Sequence, residues 1–245
     1  MDFNNEVEQR LQENEANKLL KASANSFLSE SARSKYSYNF FWLGRPIIQY
    51  PQDIMAIQEI IWQVKPDLII ETGIAHGGSL ILSASMLELN SVCGGPSDAR
   101  VVGIDIDIRS HNRLAIEAHP LSKRIDMIQG SSIDSEIVKQ VKMLANNKKK
   151  ILVFLDSMHT YEHVLAELNA YAALVAVGSY CVVFDTLIED MPEDTYPNRP
   201  WGKNNNPKTA VYEYLKHHSE FEIDKSIQNK LLITVAPDGY LKRVK

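Results

Sequence analysis

The chain has 245 residues, 44% of them hydrophobic, and a formal net charge of −5. These values exclude extensive disorder, because a chain of this length and composition can bury a full-sized core. The acidic balance argues against nucleic acid as the main partner, since phosphate binding needs a basic surface. No apolar run approaches the ~20 residues of a membrane span, and the polar start is unlike a signal peptide. The two cysteines give no disulfide framework, so we expect a cytoplasmic protein.

The beginning of the chain differs from the rest. Residues 1–35 are polar with a loose helical period, which predicts an amphipathic helix outside the main fold. An aromatic cluster follows, and its members are Tyr36, Tyr38, Phe40, Phe41 and Trp42. We favour a flap packed over the core, because buried aromatics dominate core energetics; the alternative is a lid or a subunit contact. The chain thus divides into an N-terminal helical extension or lid at 1–50 and a main domain at 51–245.

Strand and helix patterns alternate from residue 51 onward. Helical patterns cover Asp53–Val64, Ser79–Leu89, Arg109–Ala118, Ser135–Ala145 and Thr160–Val175. Between them lie short, nearly continuous apolar runs, which are typical of strands covered on both faces. These runs are Leu68–Glu71, Val101–Asp105, Ile125–Gln129, Ile151–Asp156 and Tyr180–Asp185. The alternation predicts an α/β fold with a Rossmann-like, doubly wound sheet.

The C-terminal part is less regular. Phe221–Asp224, Leu231–Ala236 and Tyr240–Val244 have the composition of closing strands, and Asp238-Gly239 suits a hairpin turn between them. The stretch Glu189–Asn206 is rich in Pro, Asn and acidic residues. Long loops in compact domains are usually functional or disordered, so this loop is a candidate cover for a site.

A glycine-rich segment, Glu71–Ser79, follows the first strand of the main domain and opens a helix. Glycines there let the backbone approach a ligand, and the helix N-terminus offers free N–H groups. The spacing is G-x-x-x-G-G rather than the G-x-G-x-x-G of dinucleotide sites. The acid at the strand end would repel a pyrophosphate and would suit a cationic amine, such as the amino-acid part of S-adenosylmethionine. An ordinary strand-to-helix turn is the alternative.

Polar residues also follow the next two strands. Asp105 ends the second strand about 30 residues after the glycine loop, a position suited to ribose hydroxyls. Ser131 and Ser132 follow the third strand, where small polar side chains suit an adenine edge. A helix N-cap explains one of these serines equally well.

The fourth and fifth strands end in acids. Asp156 closes one and Asp185 the other, and His159 lies three residues after Asp156. Open α/β sheets bind ligands at the carboxyl ends of their strands, so we expect these side chains to meet in one crevice. Two carboxylates suit a hard divalent cation such as Mg²⁺. A histidine beside them suits general-base work near neutral pH; a surface or capping histidine is the alternative.

Together these residues resemble the cephalosporin hydroxylase / rhamnosyl O-methyltransferase family of class I S-adenosylmethionine-dependent methyltransferases. The resemblance runs from about Tyr36 to the C-terminus. The matching segments are Glu71–Ser79, Gly103–Asp107, Leu155–His159 with His163–Leu168, Gly178–Asp185 and Asn206–Val211.

The resemblance implies a seven-stranded sheet whose last strand is antiparallel. It also implies S-adenosylmethionine bound to the glycine loop and the neighbouring strand ends, and a metal held by two acids, with His159 as the base. The implied cofactor-binding residues are Glu71, Gly73, Ala75, Gly78, Ser79, Asp105, Ser131, Ser132 and Asp156, and the implied metal ligands are Asp156 and Asp185.

One departure concerns the end of the fifth strand. Related enzymes often carry an acidic pair there, whereas this chain reads Phe184-Asp185-Thr186 with one acid. Two consequences are open: a weaker affinity for the metal, or an oxygen supplied by Thr186 or Glu189.

We therefore expect an O-methyltransferase acting on a small hydroxylated molecule, a sugar or glycan precursor, and working as a homo-oligomer. One alternative is a nicotinamide-dependent oxidoreductase, which the glycine spacing disfavours. The other is a non-catalytic cofactor-binding scaffold. Because Asp156, His159 and Asp185 are all present, the enzyme is the better hypothesis.

Overall fold

A computed structural model describes residues 2–245 of the chain. Its helices are α1 (Phe3–Ala16), α2 (Lys18–Arg33), α3 (Pro51–Val64), α4 (Gly78–Val92), α5 (Ser110–Glu117), α6 (Ser135–Ala145), α7 (Tyr161–Tyr171), α8 (Pro207–Leu215) and α9 (Lys225–Leu231). Its strands are β1 (Phe40–Trp42), β2 (Arg45–Ile47), β3 (Leu68–Thr72), β4 (Arg100–Asp105), β5 (Ile125–Gln129), β6 (Ile151–Leu155), β7 (Tyr180–Val183), β8 (Phe221–Ile223) and β9 (Tyr240–Arg243). No helix within residues 2–245 is long and apolar enough to cross a membrane.

Seven strands form one mixed sheet in the order β5-β4-β3-β6-β7-β9-β8. Strands β3 to β7 are parallel, and β9 runs antiparallel to both of its neighbours. The order steps outward from β3 in both directions, which makes the sheet doubly wound. The predicted fold class, including an antiparallel last strand, is confirmed.

The sheet separates two apolar layers. Strand β3 is buried at every position, with Ile69 in one layer and Leu68 and Ile70 in the other. Helices α3, α4 and α5 contribute to the first layer, while α6, α7 and α8 contribute to the second. Burial on both faces explains why the parallel strands read as continuous apolar runs.

The N-terminal segment is two helices where the sequence predicts one. Helix α1 ends before Asn17, whose side chain accepts a hydrogen bond from the N–H of Leu20 (3.0 Å) and so caps α2. The aromatic cluster then divides. Tyr36 and Trp42 pack against the main core, whereas Phe41 is 67% exposed.

One predicted strand is wrong. Leu231–Ala236 completes α9 and continues as an irregular segment, so β8 and β9 are neighbours without the tight hairpin expected at Asp238-Gly239. The physical reason is Asp53 on α3. Its buried carboxylate accepts hydrogen bonds from the Thr234 hydroxyl and from the N–H of Val235, which replace the partners that a strand would supply.

Candidate active site

The predicted site residues lie at the carboxyl edge of the parallel strands. Asp156 directly follows β6, and its N–H donates to the carbonyl of Thr72 at the end of β3 (3.0 Å). Asp185 follows β7 with a φ of 55°, in the left-handed region that a residue with a side chain adopts only under local constraint. This edge is where open α/β sheets bind their ligands.

Three of these side chains converge. One ligand atom from each of Asp156, His159 and Asp185 lies within 4.8 Å of the other two, and we call this group the acidic centre. His159 Nε2 is 3.0 Å from Asp185 Oδ2, so a neutral imidazole that donates to Asp185 keeps its lone pair on Nδ1. The structure therefore brings together the three residues that the sequence proposed for metal binding and proton transfer.

Negative charge is concentrated at the acidic centre. Burial raises the pKa of Asp156 well above its ordinary value, and the nearby carboxylates of Asp185, Glu71 and Glu167 raise it further. A divalent cation would neutralise this repulsion, and carboxylate oxygens are the ligands that hard cations prefer. The residues present thus fit a cation site.

Both alternative oxygen donors make hydrogen bonds to other parts of the chain. Thr186 Oγ1 is buried and donates to the carbonyl of Pro237 (2.7 Å). Glu189 accepts hydrogen bonds from the N–H of Asn204 (2.8 Å) and from the Asn206 side chain. Both therefore serve the loop that follows β7.

Gln49 also contacts the acidic centre. Its Nε2 donates to Asp156 Oδ2 (3.2 Å), and its Oε1 is buried with no hydrogen-bond partner in the described part of the chain. Sequence reasoning missed this residue, because a polar side chain just before a helix carries no motif.

The glycine loop serves packing as well as ligand approach. Gly73 has a φ of 90°, and a Cβ there would lie 2.0 Å from the carbonyl oxygen of Asp156. A Cβ on Gly78 would lie 2.3 Å from the carbonyl oxygen of Pro46. The loop therefore sits tightly between β6 and the residues before α3, while Ala75 is exposed. These contacts fix the loop relative to the acidic centre.

Glu71 is buried beneath this loop with an unused oxygen. Ser83 donates to Oε2 (3.4 Å), while Oε1 has no partner within residues 2–245. Burial raises the pKa of Glu71 to about 7, and hydrogen bonds from Ser79 and Ser83 oppose the rise. An ammonium group is the ligand that would both donate to Oε1 and favour the ionised carboxylate. The site thus fits the amino group of S-adenosylmethionine.

Asp105 lies over the same loop. Its Oδ2 accepts from the N–H groups of Ile74 (2.8 Å) and Ala75 (3.2 Å), and its Oδ1 accepts from the N–H of Asp107 (3.0 Å). The carboxylate is partly exposed at the end of β4, so it both holds the loop and faces the crevice edge.

A buried polar network joins the loops after β5 and β6. Ser132 Oγ donates to Glu167 Oε1 (2.5 Å), and Ser157 Oγ donates to the same oxygen (2.7 Å). His163 Nε2 lies 3.0 Å from Ser132 Oγ, so this histidine is not the solvated residue that its helical position predicts. Ser131 is partly exposed. The N-cap of α6 is Asp134, so neither serine caps that helix.

The loop after β7 covers the acidic centre. The ring of Trp201 meets the ring of His159 edge to face, with centroids 4.7 Å apart. The guanidinium of Arg199 lies 5.1 Å from the centre of the Trp201 ring. The Glu189–Asn206 segment thus brings an aromatic surface and a cation beside His159.

The sheet order and the position of the site define a class I methyltransferase fold. Solved structures with this fold include apo CmcI, with a TM-score of 0.57 and 21% identity over 85% of this chain and 77% of that one. Another is an O-methyltransferase from Bacillus cereus in complex with SAH, with a TM-score of 0.52 and 15% identity over 91% of both chains. At these identities the likeness concerns the fold.

Sequence comparison defines the family. The model for Rhamnosyl O-methyltransferase/CmcI matches residues 34–244. A rhamnosyl O-methyltransferase of Mycobacterium tuberculosis is 32% identical over 226 residues, covering 88% of this chain and 85% of the relative. The Mycobacterium leprae protein of that name is 29% identical over 225 residues, covering 88% and 90%. The chain belongs to the Rhamnosyl O-methyltransferase/CmcI family of S-adenosylmethionine-dependent O-methyltransferases.

Proposed function

We propose that this protein is a metal-dependent O-methyltransferase that methylates a hydroxyl of a sugar or glycan precursor. The observation that carries the proposal is the acidic centre, in which Asp156 and Asp185 lie beside a histidine and near the unused oxygen of Glu71. Family membership sets the oxidoreductase alternative aside.

The glycine loop would hold the methyl donor. Glu71 Oε1 would accept from its ammonium group, and the loop from Gly73 to Ser79 would contact its methionine part. Asp105 would hold its ribose, and Ser131 and Ser132 would contact its adenine. Support comes from the buried, unpartnered oxygen of Glu71 and from solved relatives such as CmcI with Mg and S-adenosylmethionine (20% identity, TM-score 0.55).

Asp156 and Asp185 hold the cation. When bound, S-adenosylmethionine supplies the methyl group, and the cation supplies positive charge that makes an acceptor hydroxyl more acidic. His159 takes the hydroxyl proton at Nδ1, because Nε2 is directed at Asp185. Asp185 then stabilises the imidazolium, and the edge-to-face contact with Trp201 keeps the ring oriented.

The acceptor lies between the loop after β7 and the residues before α3. Trp201 offers a flat ring of the kind on which sugars stack, and Arg199 beside it suits a polar or anionic substituent. The relatives named rhamnosyl O-methyltransferase support a sugar as the acceptor.

We further propose that residues 1–50 form an extension that closes this side of the crevice. The same extension would contribute to a homo-oligomer. We propose the cytoplasm as the location of the enzyme.

The test is a methylation assay. The full-length protein is incubated with S-adenosylmethionine, Mg²⁺ and a panel of free and nucleotide-linked deoxysugars. The expected product gains the mass of one CH₂, and S-adenosylhomocysteine is released in equal amount. Tight cofactor binding without methyl transfer to any hydroxylated acceptor would favour the non-catalytic scaffold.

A further inference from the structure

Gln49 occupies an unusual position for an uncharged side chain. It lies directly before Tyr50 and α3, is 4% exposed, and touches the acidic centre through Nε2, which donates to Asp156 Oδ2. Its Oε1 is buried without a hydrogen-bond partner in the described chain. A buried amide oxygen that lacks a donor is destabilising, so such groups are rare unless a ligand completes them.

Turning the amide around does not relieve this when Asp156 is ionised, which is the form that binds a cation. A reversed side chain would set Oε1 against the Asp156 carboxylate, oxygen facing oxygen. The contact with Asp156 therefore keeps Nε2 at the carboxylate, and Oε1 stays available as an acceptor or a metal ligand. The backbone here is also held in place, because Ile47 and Tyr50 are each 2% exposed in the main core.

We propose that Gln49 is a third protein ligand of the cation, beside Asp156 and Asp185, presenting Oε1 to the divalent cation while Nε2 positions Asp156. The inference rests on the proposed metal dependence. Amide oxygens of Asn and Gln are regular ligands of hard cations. A neutral ligand also suits this place, because Asp156, Asp185, Glu71 and Glu167 already crowd it with carboxylates.

Direct metal binding tests the proposal. Mn²⁺ affinity of chelator-stripped, full-length protein is measured by electron paramagnetic resonance, and S-adenosylhomocysteine affinity is measured separately by calorimetry. The variants are Gln49→Leu, which removes both amide atoms, and Gln49→Glu, which keeps an oxygen but loses the donor. Gln63→Leu, the same change at an exposed position of α3, is the matched control.

We expect Gln49→Leu to weaken Mn²⁺ binding by about 10–100-fold, the range seen when groups that support metal ligands are removed. Gln49→Glu should bind Mn²⁺ more tightly than Gln49→Leu, because it keeps an oxygen at the position of Oε1. The control should match the wild type, and none of the variants should change S-adenosylhomocysteine affinity. If Gln49→Leu does not fold, Gln49→Asn withdraws the amide by one methylene and gives the same test.

Three outcomes overturn the inference. Wild-type affinity for Mn²⁺ in Gln49→Leu would show that Gln49 contributes nothing to the cation. Equal weakening in Gln49→Leu and Gln49→Glu would show that it acts through Nε2 alone. Weakened S-adenosylhomocysteine binding with normal Mn²⁺ binding would assign Oε1 to the ammonium of the methyl donor. Failure of the wild type to bind Mn²⁺ is a different result, which refutes the metal dependence itself.

Discussion

Two aspartates with little exposure to solvent, Asp53 and Asp156, have opposite surroundings. Asp53 accepts hydrogen bonds from the Thr234 hydroxyl, the N–H of Val235 (3.0 Å) and the Tyr240 hydroxyl (2.8 Å). Asp156 accepts one side-chain hydrogen bond, from Gln49 Nε2, and is surrounded by other carboxylates. A carboxylate whose acceptors are filled by the chain stabilises the fold. One whose acceptors are left open is prepared for a ligand.

The pKa values follow the same division. Burial raises the pKa of Asp53 to about 6, and its three donors limit the rise. For Asp156, burial and the neighbouring Asp185 and Glu71 all raise the pKa. The comparison predicts that the same substitution will damage stability at one position and activity at the other.

The largest effect is expected for Asp156→Asn. Loss of a cation ligand should lower kcat/KM by about 10³-fold or more, because a metal contributes several kcal/mol to the transition state. Tm without ligands should stay equal or rise, since one of several crowded negative charges is removed. Steady-state kinetics measures the change in kcat/KM, and thermal unfolding measures the change in Tm. An Asp156→Asn enzyme with wild-type activity would contradict the assignment of Asp156 to activity and of Asp53 to stability.

His159→Gln should lower kcat by about 10²–10³-fold, within the range for loss of a general base. Mn²⁺ and S-adenosylhomocysteine should bind normally, because the carboxylates and the glycine loop are unchanged. Steady-state kinetics and calorimetry measure the two properties. If Mn²⁺ binding is lost instead, His159 is a metal ligand and not the base.

Asp53→Asn should act on stability. The amide nitrogen of the new side chain would replace one of the two oxygens that accept from Thr234 and Val235, so two donors would face each other. We expect the free energy of unfolding to fall by about 3 kcal/mol. For a chain of this size that lowers Tm by about 6–12 °C. Turnover below Tm should change little. A large loss of kcat at unchanged Tm would mean that Asp53 also serves the site.

An effect of similar size on stability is expected from the titration of Glu71. Its pKa in the folded protein is about 7 against an ordinary 4.5, so folding favours its protonated form. The stabilisation is complete below about pH 4.5 and is lost as pH rises through 7, in total about 3 kcal/mol.

The difference in unfolding free energy between wild type and Glu71→Gln, measured as a function of pH, isolates this contribution. The wild type should lose stability relative to the variant between pH 4.5 and 7. A difference that does not vary with pH would contradict the buried, incompletely paired environment of Glu71.

Much of the fold could be predicted, because strands buried on both faces must be apolar throughout, as in Ile151–Leu155. The convergence of Asp156, His159 and Asp185 followed from their places at strand ends. The strand predicted at Leu231–Ala236 is wrong because the apolar residues of this segment contact the core without strand pairing. The segment is held by Asp53, which is distant in sequence.

The residues missed share one property. Gln49 lies outside every motif, and Glu167 lies within a matching segment without being singled out. Their contacts with Asp156, Ser132 and Ser157 are formed only in the folded chain. The pair His163–Glu167, four residues apart on α7, was the one local signal.

The account's central claim is that the acidic centre works through a bound cation. The direct measurement is methyl transfer by wild-type protein after removal of metals with a chelator, followed by addition of Mg²⁺ at constant ionic strength. We predict that transfer stops on chelation and returns with Mg²⁺, and that Asp156→Asn does not recover. Full transfer by the stripped enzyme, with no response to Mg²⁺, would contradict the claim.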